Sequence, residues 1–427
     1  MMVMSLEKIL ESERVQSGKY IVLKSYNNYL KNRAKSQEGL DIEKLKEELK
    51  RIKKQSLSNI DELKKNAIKN LKFQNIQVFE AKDAKEARSI ALKLIPKGAR
   101  IVKSKSNVVN EIELEKLLLK RNEFTETDCG DFIVQITEEK ESHPVTPAIH
   151  ISLEKITEAI KKKYKEDVPK DPVKITHWVR DHLRKKILEA DIGITGANVI
   201  SSDGGVFILE NEGNISLVCK LPKKHIIITS IDKVVPTVQD AMTICKACAI
   251  WGTGALLPGY INVISSISKT ADVQKEIVWG MHGPKEVCLI IIDNGRSEML
   301  KEGFSEILEC INCGACLYPC PVYRNILDNY GFHYFGGRGV GMTVFQEGLE
   351  KGFERGMYYC MGCELCKQNC PLDIDIPKIV KRLREKAVKK NIETDVNSEM
   401  MDNIRTSGNP FGEEVKEGKL PDKLFCC

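Results

Sequence analysis

Apolar residues recur at helical spacing in the first part of the chain. Ile42, Leu45 and Leu49 fall within a segment, 41–54, whose charged residues alternate in sign. This pattern is typical of an amphipathic helix with one solvated face. Together with the neighbouring sequence it predicts two or three helices, so we expect residues 1–72 to form a helical N-terminal segment.

The middle of the chain alternates between short β-branched runs and helical patterns. Strands are predicted at 76–79, 100–102 and 132–136, and helices at 84–94, 112–121 and 151–164. Such alternation is typical of an α/β layer with parallel strands. It predicts an α/β domain over residues 73–295.

Further β-branched segments lie close together between residues 191 and 230, separated by Gly and Asn turns. Their sequences are ADIGITGANVI, GGVFILENEG, ISLVCKL and HIIITSI. We expect them to be adjacent strands of one sheet, and a buried strand at 286–293 to close the domain. From Arg296 onward the pattern is helical, with a glycine-rich turn at 335–341.

Two runs of four cysteines share the spacing C-x-x-C-x-x-C-x-x-x-C-P. The first run is Cys310, Cys313, Cys316 and Cys320, and the second is Cys360, Cys363, Cys366 and Cys370. Such a run holds a [4Fe-4S] cluster, and the last cysteine of each run ligates the cluster of the other. We therefore predict two [4Fe-4S] clusters with crossed ligands. One set is Cys310, Cys313, Cys316 and Cys370, and the other is Cys360, Cys363, Cys366 and Cys320.

Zinc is the competing interpretation, because pairs of C-x-x-C also form tetrahedral thiolate sites. Two identical three-plus-one runs that end in Cys-Pro do not have zinc-ribbon spacing, which favours iron and sulfur. The 39 residues between Cys320 and Cys360 are long for a small βαβ ferredoxin, and both flanks are helical in pattern. We expect an all-helical ferredoxin domain over 296–395 and a tail over 396–427.

The composition excludes several classes of protein. The chain has 427 residues, of which 42% are hydrophobic, enough for two or three domains with cores of their own. Eight of its 15 cysteines fall in the two runs and must be reduced to bind iron, which predicts a cytoplasmic location. The sequence has no long uninterrupted apolar stretch and no signal-peptide pattern, so we expect no direct membrane insertion.

The net charge of +6 is concentrated near the N-terminus. Residues 1–72 hold 17 Lys or Arg and 10 Asp or Glu, a net charge of +7. A basic segment of this kind can indicate nucleic-acid binding. Because its charges alternate in sign along an amphipathic helix, we interpret it as a solvated face and expect no nucleic-acid partner.

Several separated motifs resemble the iron–sulfur subunit of the lactate-utilisation (LUD domain) oxidoreductases. In chain order they are KSKSNVVNEIEL, ETDCGDFIVQITEEKESHPVTPAIH, ADIGITGANVISSDGGVFILENEGN, HIIITSIDKVVPT, DNGRSEML and CINCGACLYPCPVY. The resemblance covers roughly residues 75–410. The sequence departs from the family pattern in two respects. It stops at Cys427, where relatives commonly run on past the second cysteine run, and it carries Cys245 and Cys248 in TICKACAIW.

The resemblance implies a two-part protein with partners. The first part would be a LUD domain on a scaffold related to CoA transferases and ribose-phosphate isomerase, and the second a helical ferredoxin domain with two clusters. Known members act with other subunits, a LUD-only subunit and a CCG-type cysteine-rich subunit, in oxidising L-lactate to pyruvate. This implies that the chain is the electron-transfer subunit of an oxidoreductase whose substrate is a 2-hydroxy acid.

A second function remains open from the sequence. In this alternative, the LUD half is a docking module, and the ferredoxin half carries electrons to or from a CCG-type disulfide reductase that acts on another substrate. The tail bears on the partner: residues 409–414 and 424–427 resemble the junction at which fused relatives pass into a CCG-type domain. We expect a separate CCG-type subunit to dock there, the alternative being a tail without a role.

Glu210 and Glu212 are the candidate catalytic residues. They lie in an ENEG turn that follows a predicted strand, where α/β sheets present groups to ligands. The turn is similar to the Ser-Glu-Asn-Gly segment that holds the nucleophilic glutamate of related CoA transferases. A carboxylate here can take a proton or bind a hydroxyl group. The alternative is that both residues only cap the turn.

Cations are also needed for the carboxylate of a 2-hydroxy acid. The candidates, all in the motif segments, are Lys103, Lys105, His143, His150, His225 and Lys233. The alternative for each is a satisfied core residue. No flavin or nicotinamide motif accompanies them, and GGRGVG is better explained as a backbone turn than as a phosphate cradle. Cys245 and Cys248 have apolar neighbours, which favours buried free cysteines over a redox pair or metal ligands.

Overall fold

The computed structural model describes residues 6–143, 146–148 and 150–411, and it begins with four helices rather than the predicted two or three. They are α1 (Leu6–Glu11), α2 (Glu13–Gln37), α3 (Ile42–Ser58) and α4 (Ile60–Phe73). The amphipathic helix predicted at 41–54 is α3. Its N-terminus is capped by the Asp41 side chain, which accepts a hydrogen bond from the backbone N–H of Lys44. Leu49 and Ile52 on its apolar face are fully buried.

An α/β region follows. In chain order its elements are β1 (Gln77–Ala81), α5 (Ala84–Leu94), β2 (Arg100–Lys103), α6 (Asn107–Glu111), α7 (Leu114–Leu118), β3 (Glu123–Glu126), α8 (Cys129–Thr137), α9 (Leu153–Tyr164), α10 (Pro172–Leu188), β4 (Ile192–Thr195), β5 (Val199–Ser201), β6 (Val206–Glu210), α11 (Asn214–Lys220), β7 (Lys224–Ser230), β8 (Val234–Val235), α12 (Val238–Thr253), β9 (Tyr260–Ile264), β10 (Lys269–Thr270), β11 (Val278–Trp279) and β12 (Glu286–Ile292).

Six of these strands form one parallel sheet in the order β1-β12-β7-β4-β2-β3. The inner strands β12 and β7 are buried along nearly their whole length, because helices cover both faces of a parallel sheet. The predicted α/β layer with parallel strands is confirmed. All carboxyl ends of these strands lie at one edge, which is where ligands bind in such sheets.

The predicted strands between residues 191 and 230 do not form one sheet. β4 and β7 belong to the six-stranded sheet, whereas β5 and β6 pair in a second sheet of order β8-β5-β6-β9. The third of the four segments, 215–221, is the helix α11 instead of a strand. Its buried residues are Ile215, Val218 and Cys219, whose spacing of three and four residues places them on one face of a helix.

The strand predicted at 132–136 is also wrong, since these residues form the middle of α8. The side chain of Asp128 accepts hydrogen bonds from the backbone N–H groups of Gly130 and Asp131, both at 3.1 Å. This cap starts a helix, and Phe132, Ile133 and Ile136 then lie on its buried side.

The last part of the chain is helical, as predicted. Its helices are α13 (Arg296–Lys301), α14 (Pro321–Ile326), α15 (Gly336–Glu347), α16 (Leu349–Glu354), α17 (Leu365–Gln368), α18 (Ile376–Val388) and α19 (Asp395–Ser407). The glycine-rich turn predicted at 335–341 is wrong, because GGRGVG forms the first half of α15. The tail predicted over 396–427 begins within α19, and its residues 412–427 lie outside the described residues.

The N-terminal helices join the α/β region to the helical region. In α2 the Tyr29 hydroxyl donates to the backbone carbonyl of Trp251 in α12 at 2.7 Å, while its ring stacks on Tyr318 at a centroid distance of 4.7 Å. One apolar core therefore runs through α2, α3, α12 and the helices after residue 296. Among the described residues, no helix combines the length and apolar character that crossing a membrane requires.

Candidate functional site

A cleft of about 270 Å³ lies between the strand ends of the parallel sheet and the first cysteine run. The segments that follow β2, β3 and β4 supply one side, with Lys105, Asp128 and Asn198. Helix α12 and the cysteine loop supply the other, with Cys248, Asn312 and Cys313. The cleft therefore places the carboxyl edge of an α/β sheet against a cysteine of the first run.

Two of the six predicted cationic residues line this cleft. Lys105 lies 3.7 Å from a carboxylate oxygen of both Asp128 and Asp131. Burial opposes its charge, but these carboxylates raise its pKa above the usual value. Lys233 donates to the backbone carbonyl of Ala197 at 2.7 Å, and burial lowers its pKa to about 8. Both can present an ammonium group to an anionic ligand.

The two predicted carboxylates also line the cleft, but their surroundings differ. Glu210 is buried, and its oxygens accept hydrogen bonds from the Ser216 backbone N–H at 3.0 Å and from Asn262 at 2.8 Å. The Ser216 hydroxyl donates to it as well. This arrangement fixes the start of α11 against β6, which is the structural role left open by the sequence.

Glu212 is the carboxylate with a perturbed acidity. Its side chain is exposed and accepts a hydrogen bond from the backbone N–H of Cys129 at 3.2 Å. Desolvation by the surrounding walls and the negative charge of Asp128 raise its pKa to about 7. A carboxyl group with this pKa can accept and release a proton near neutral pH.

The other four predicted ligand residues do not line the cleft. Lys103 is 1% exposed and its ammonium group bonds Glu126 at 2.7 Å. His225 is fully buried in β7, with its Nε2 2.8 Å from the Thr195 hydroxyl. Both are held inside the α/β core, as the alternative interpretation of the sequence stated.

The two remaining histidines, His143 and His150, are also buried. The ring of His143 packs against Tyr318, with centroids 5.0 Å apart, and burial lowers its pKa to about 3. His150 lies 3.9 Å from a carboxylate oxygen of Glu139, and burial lowers its pKa to about 4. Neither is positioned to bind a ligand in the cleft.

Sequence reasoning missed several residues of the cleft. Asp128, Asn198, Asn214 and Asn312 were not predicted, although three of them follow a strand or a glycine turn, which is a usable signal. Cys245 is fully buried, as predicted. Cys248 differs from that prediction: it is half-buried, lines the cleft, and its thiol donates to the Ile311 carbonyl at a sulfur–oxygen distance of 3.5 Å.

The eight cysteines of the two runs fall into two neighbouring groups. Cys320, Cys360, Cys363 and Cys366 line one cavity, together with Cys316 of the other group. Burial raises the pKa of Cys370 to about 11 and that of Cys366 to about 12. After burial, the nearby Cys310 contributes most to the raised pKa of Cys370, and the nearby Cys320 contributes most to the raised pKa of Cys366.

Cys370 thus has Cys310 as a neighbour and Cys366 has Cys320, while the crossed ligand sets stay a prediction. Two backbone N–H groups also point at sulfur atoms, from Asn312 to Cys310 at 3.3 Å and from Tyr323 to Cys320 at 3.5 Å. Hydrogen bonds to sulfur are a regular feature of iron–sulfur sites. The residues therefore fit iron–sulfur clusters, which the cysteine thiolates would hold. Within the described ranges, no three His, Cys, Asp or Glu side chains are grouped so as to hold a single metal ion.

Together, the fold and the cysteine runs define the class: an iron–sulfur protein with an α/β domain and a helical ferredoxin-type region. Residues 306–374 match the family described as "4Fe-4S dicluster domain", and residues 64–292 match the family described as "LUD domain". The chain belongs to the LUD-domain family. The number of clusters and the relation to CoA-transferase scaffolds stay predictions.

Several named proteins are similar to this chain. "Lactate utilization protein B" of Bacillus cytotoxicus is 32% identical over 365 residues, which cover 84% of this chain and 75% of that protein. "Uncharacterized electron transport protein YkgF" of Escherichia coli K12 is 33% identical and covers 80% of this chain and 71% of its own length. A crystal structure of a DUF162 family protein from Deinococcus radiodurans, 13% identical, covers 56% of this chain and 98% of its own, with a TM-score of 0.30.

Proposed function

We propose that this chain is the iron–sulfur electron-transfer subunit of a multi-subunit oxidoreductase that oxidises L-lactate to pyruvate. The observation that carries the proposal is the position of Cys313, which lines the same cleft as Glu212, Lys105 and Lys233. A ligand bound at the strand ends would touch the loop of the first cysteine run. The names of the relatives support lactate utilisation and electron transport.

The two crossed cysteine sets would hold the clusters, with Cys313 on the side of the cleft and Cys363 exposed to solvent. When bound, iron–sulfur clusters of this kind accept and pass single electrons. The protein contributes the surroundings: thiolates in a mostly buried pocket and N–H groups directed at sulfur.

Residues of the cleft can bind and orient a 2-hydroxy acid. The ammonium groups of Lys233 and Lys105 are suited to the substrate carboxylate. The Glu212 carboxylate, with its pKa raised to about 7, can take the hydroxyl proton at one of its oxygens. Glu210 holds the turn that carries Glu212. Oxidation to a 2-oxo acid removes two electrons and two protons, and we propose that another subunit supplies the two-electron acceptor.

We propose two partners for this chain, a LUD-only subunit and a CCG-type cysteine-rich subunit. Residues 361–365 support a docking site at the second cysteine run, because all five are exposed and Cys363 is among them. Met361 and Leu365 add apolar surface there, at 73% and 37% exposure. A cysteine-rich electron-transfer subunit docked on this loop would approach the second cluster closely.

Lys233→Met in the reconstituted complex tests the proposed substrate site. Loss of a charge-assisted hydrogen bond costs about 1.5–3 kcal/mol, so the KM for lactate should rise roughly tenfold to hundredfold. Lys220→Met is the matched control, because Lys220 is exposed at the end of α11 and does not line the cleft. Iron content should be equal in all three proteins.

The inhibitor oxamate, which mimics the substrate carboxylate, provides a second readout through its inhibition constant. If Lys233 binds the carboxylate, the inhibition constant of oxamate should rise in parallel with the KM for lactate. An unchanged KM and an unchanged oxamate inhibition constant in Lys233→Met would contradict the proposal that lactate binds in this cleft.

A further inference from the structure

Arg338 lies at a position shared by both cysteine groups. It is the third residue of α15, within GGRGVG, and its side chain is only 6% exposed. It lines the cavity that contains Cys310 and Cys316. It also lines the cavity that contains Cys320 and Cys360. A single buried arginine therefore borders one cavity beside each group of cysteines.

This guanidinium has no anionic partner within residues 6–143, 146–148 and 150–411. Its Nε is buried without a hydrogen bond, and its Cζ lies 4.7 Å from the centroid of the Tyr334 ring, over the face of that ring. The neighbouring buried arginine differs sharply, since Arg296 bonds both Glu111 and Asp232. A buried charge without a partner is strongly unfavourable. A negative charge beside Arg338 would offset this cost, and no acidic side chain of the described residues forms an ion pair with it.

The glycines around Arg338 explain how it reaches this position. A Cβ at Gly337 would lie 2.6 Å from a methyl group of Ile376, and one at Gly339 would lie 2.0 Å from the carbonyl oxygen of Tyr334. Glycine in a helix costs about 1 kcal/mol relative to alanine. The segment accepts that cost twice because only glycine lets α15 pack this closely, and the close packing sets Arg338 between the two cavities.

We propose that Arg338 is the shared counter-charge of the two [4Fe-4S] clusters. A cubane with four thiolate ligands carries a net negative charge, which grows when the cluster is reduced. A buried cation beside it favours the reduced form and so raises the reduction potential. Because Arg338 borders both sites, it raises both potentials together, which keeps electron exchange between them close to balanced. The proposal rests on the two clusters of the proposed function.

Redox titration of the cluster-loaded full chain, followed by electron paramagnetic resonance, tests this role. Arg338→Met should lower the midpoint potential of both clusters by about 59 mV, so that the ratio of reduced to oxidised cluster at a fixed potential falls about tenfold. Arg338→Lys keeps the charge and should stay near the wild type. Arg355→Met is the matched control, because Arg355 also covers an aromatic ring, that of Phe332 at 4.8 Å, but lines neither cavity.

Iron and sulfide analysis of every variant separates the outcomes. Unchanged reduction potentials in a fully loaded Arg338→Met would overturn the proposal. A shift in the potential of one cluster alone would overturn the claim that Arg338 acts on both clusters. If Arg338→Met loses iron, the lysine variant decides: restored iron and potentials support a charge role, and equal loss contradicts it. A wild-type chain that takes up no cluster would overturn the proposed function as well, so the two failures are distinguishable.

Discussion

Arg296→Met should destabilise the protein by about 3–5 kcal/mol, the usual cost of removing one partner from a buried ion pair. Arg296 is 1% exposed and bonds Glu111 through two nitrogens, at 2.9 and 2.8 Å, and Asp232 through Nε at 2.5 Å. The variant leaves the Glu111 carboxylate without its cation and takes from Asp232 one of its nearby cations, with Lys53 remaining. Tyr334 also donates to Glu111 at 2.7 Å, so the network ties the α/β region to the helical one.

The effect should depend on pH in a defined direction. Although burial opposes ionisation, Arg296 holds the pKa of Glu111 below its usual range, and Arg296 with Lys53 does the same for Asp232. A depressed carboxylate pKa stabilises the folded state above the unfolded-state value and loses that contribution as the pH falls through the folded-state value. The difference between Arg296→Met and the wild type should be full at pH 7 and shrink in acid.

Urea unfolding of the cluster-loaded chain without oxygen, followed by circular dichroism, measures the effect. The double variant Arg296→Met with Glu111→Gln removes both charges of one pair, so it should be more stable than the sum of the two single changes allows. Arg100→Met is the control, because the Arg100–Asp191 pair is exposed and should leave the midpoint unchanged. Additive losses in the double variant would refute the buried-charge explanation.

Iron and sulfide analysis of protein made without oxygen should give roughly eight irons per chain. Cys320→Ser should disturb the cluster that Cys360 helps to hold. A yield of two or three irons, or bound zinc, would contradict both predictions. In the complex, turnover should rise with pH through about 7 as Glu212 ionises, and Glu212→Gln should remove that rise, whereas Glu210→Gln should keep it. The isolated chain should not oxidise lactate with an artificial dye, although the complex should. Deleting residues 409–427 should preserve the clusters and weaken co-purification with the CCG-type subunit, so full yield would exclude the tail as the docking element.

The parallel sheet was predictable because its strands are buried on both faces and therefore carry uninterrupted β-branched runs. The strand at 286–293 was found for this reason, whereas the helix at 84–94 was found from its helical pattern. The helices α8 and α11 were missed because a short, nearly continuous apolar run is compatible with a buried strand as well as with a buried helix. Strand partners were also missed: nothing local distinguishes β5, in the smaller sheet, from β4 in the larger.

The site was predictable only in part, for a related reason. Lys105, Lys233 and Glu212 were found because polar residues after strands lie at the edge where ligands bind. Lys103 and His225 lie in the same motifs, but each is inside a strand, so its side chain meets Glu126 or Thr195 in the core. The difference of a residue or two along the chain decides between cleft and core, and only the strand boundaries reveal it.

The two cysteine runs have the same spacing but different surroundings. The first run lies beside the cleft, and part of the second is exposed to solvent. A Cβ at Gly252 of α12 would lie 3.1 Å from the carbonyl oxygen of Cys313. Because glycine has no side chain, the loop of the first run packs closely against α12 beside the cleft. The second run carries an exposed Cys363 among four other exposed residues. Electrons released by a ligand in the cleft would therefore enter beside Cys313 and leave beside Cys363. The predicted crossed ligands Cys320 and Cys370 would keep the two sites adjacent, and Arg338 lines a cavity beside each cysteine group.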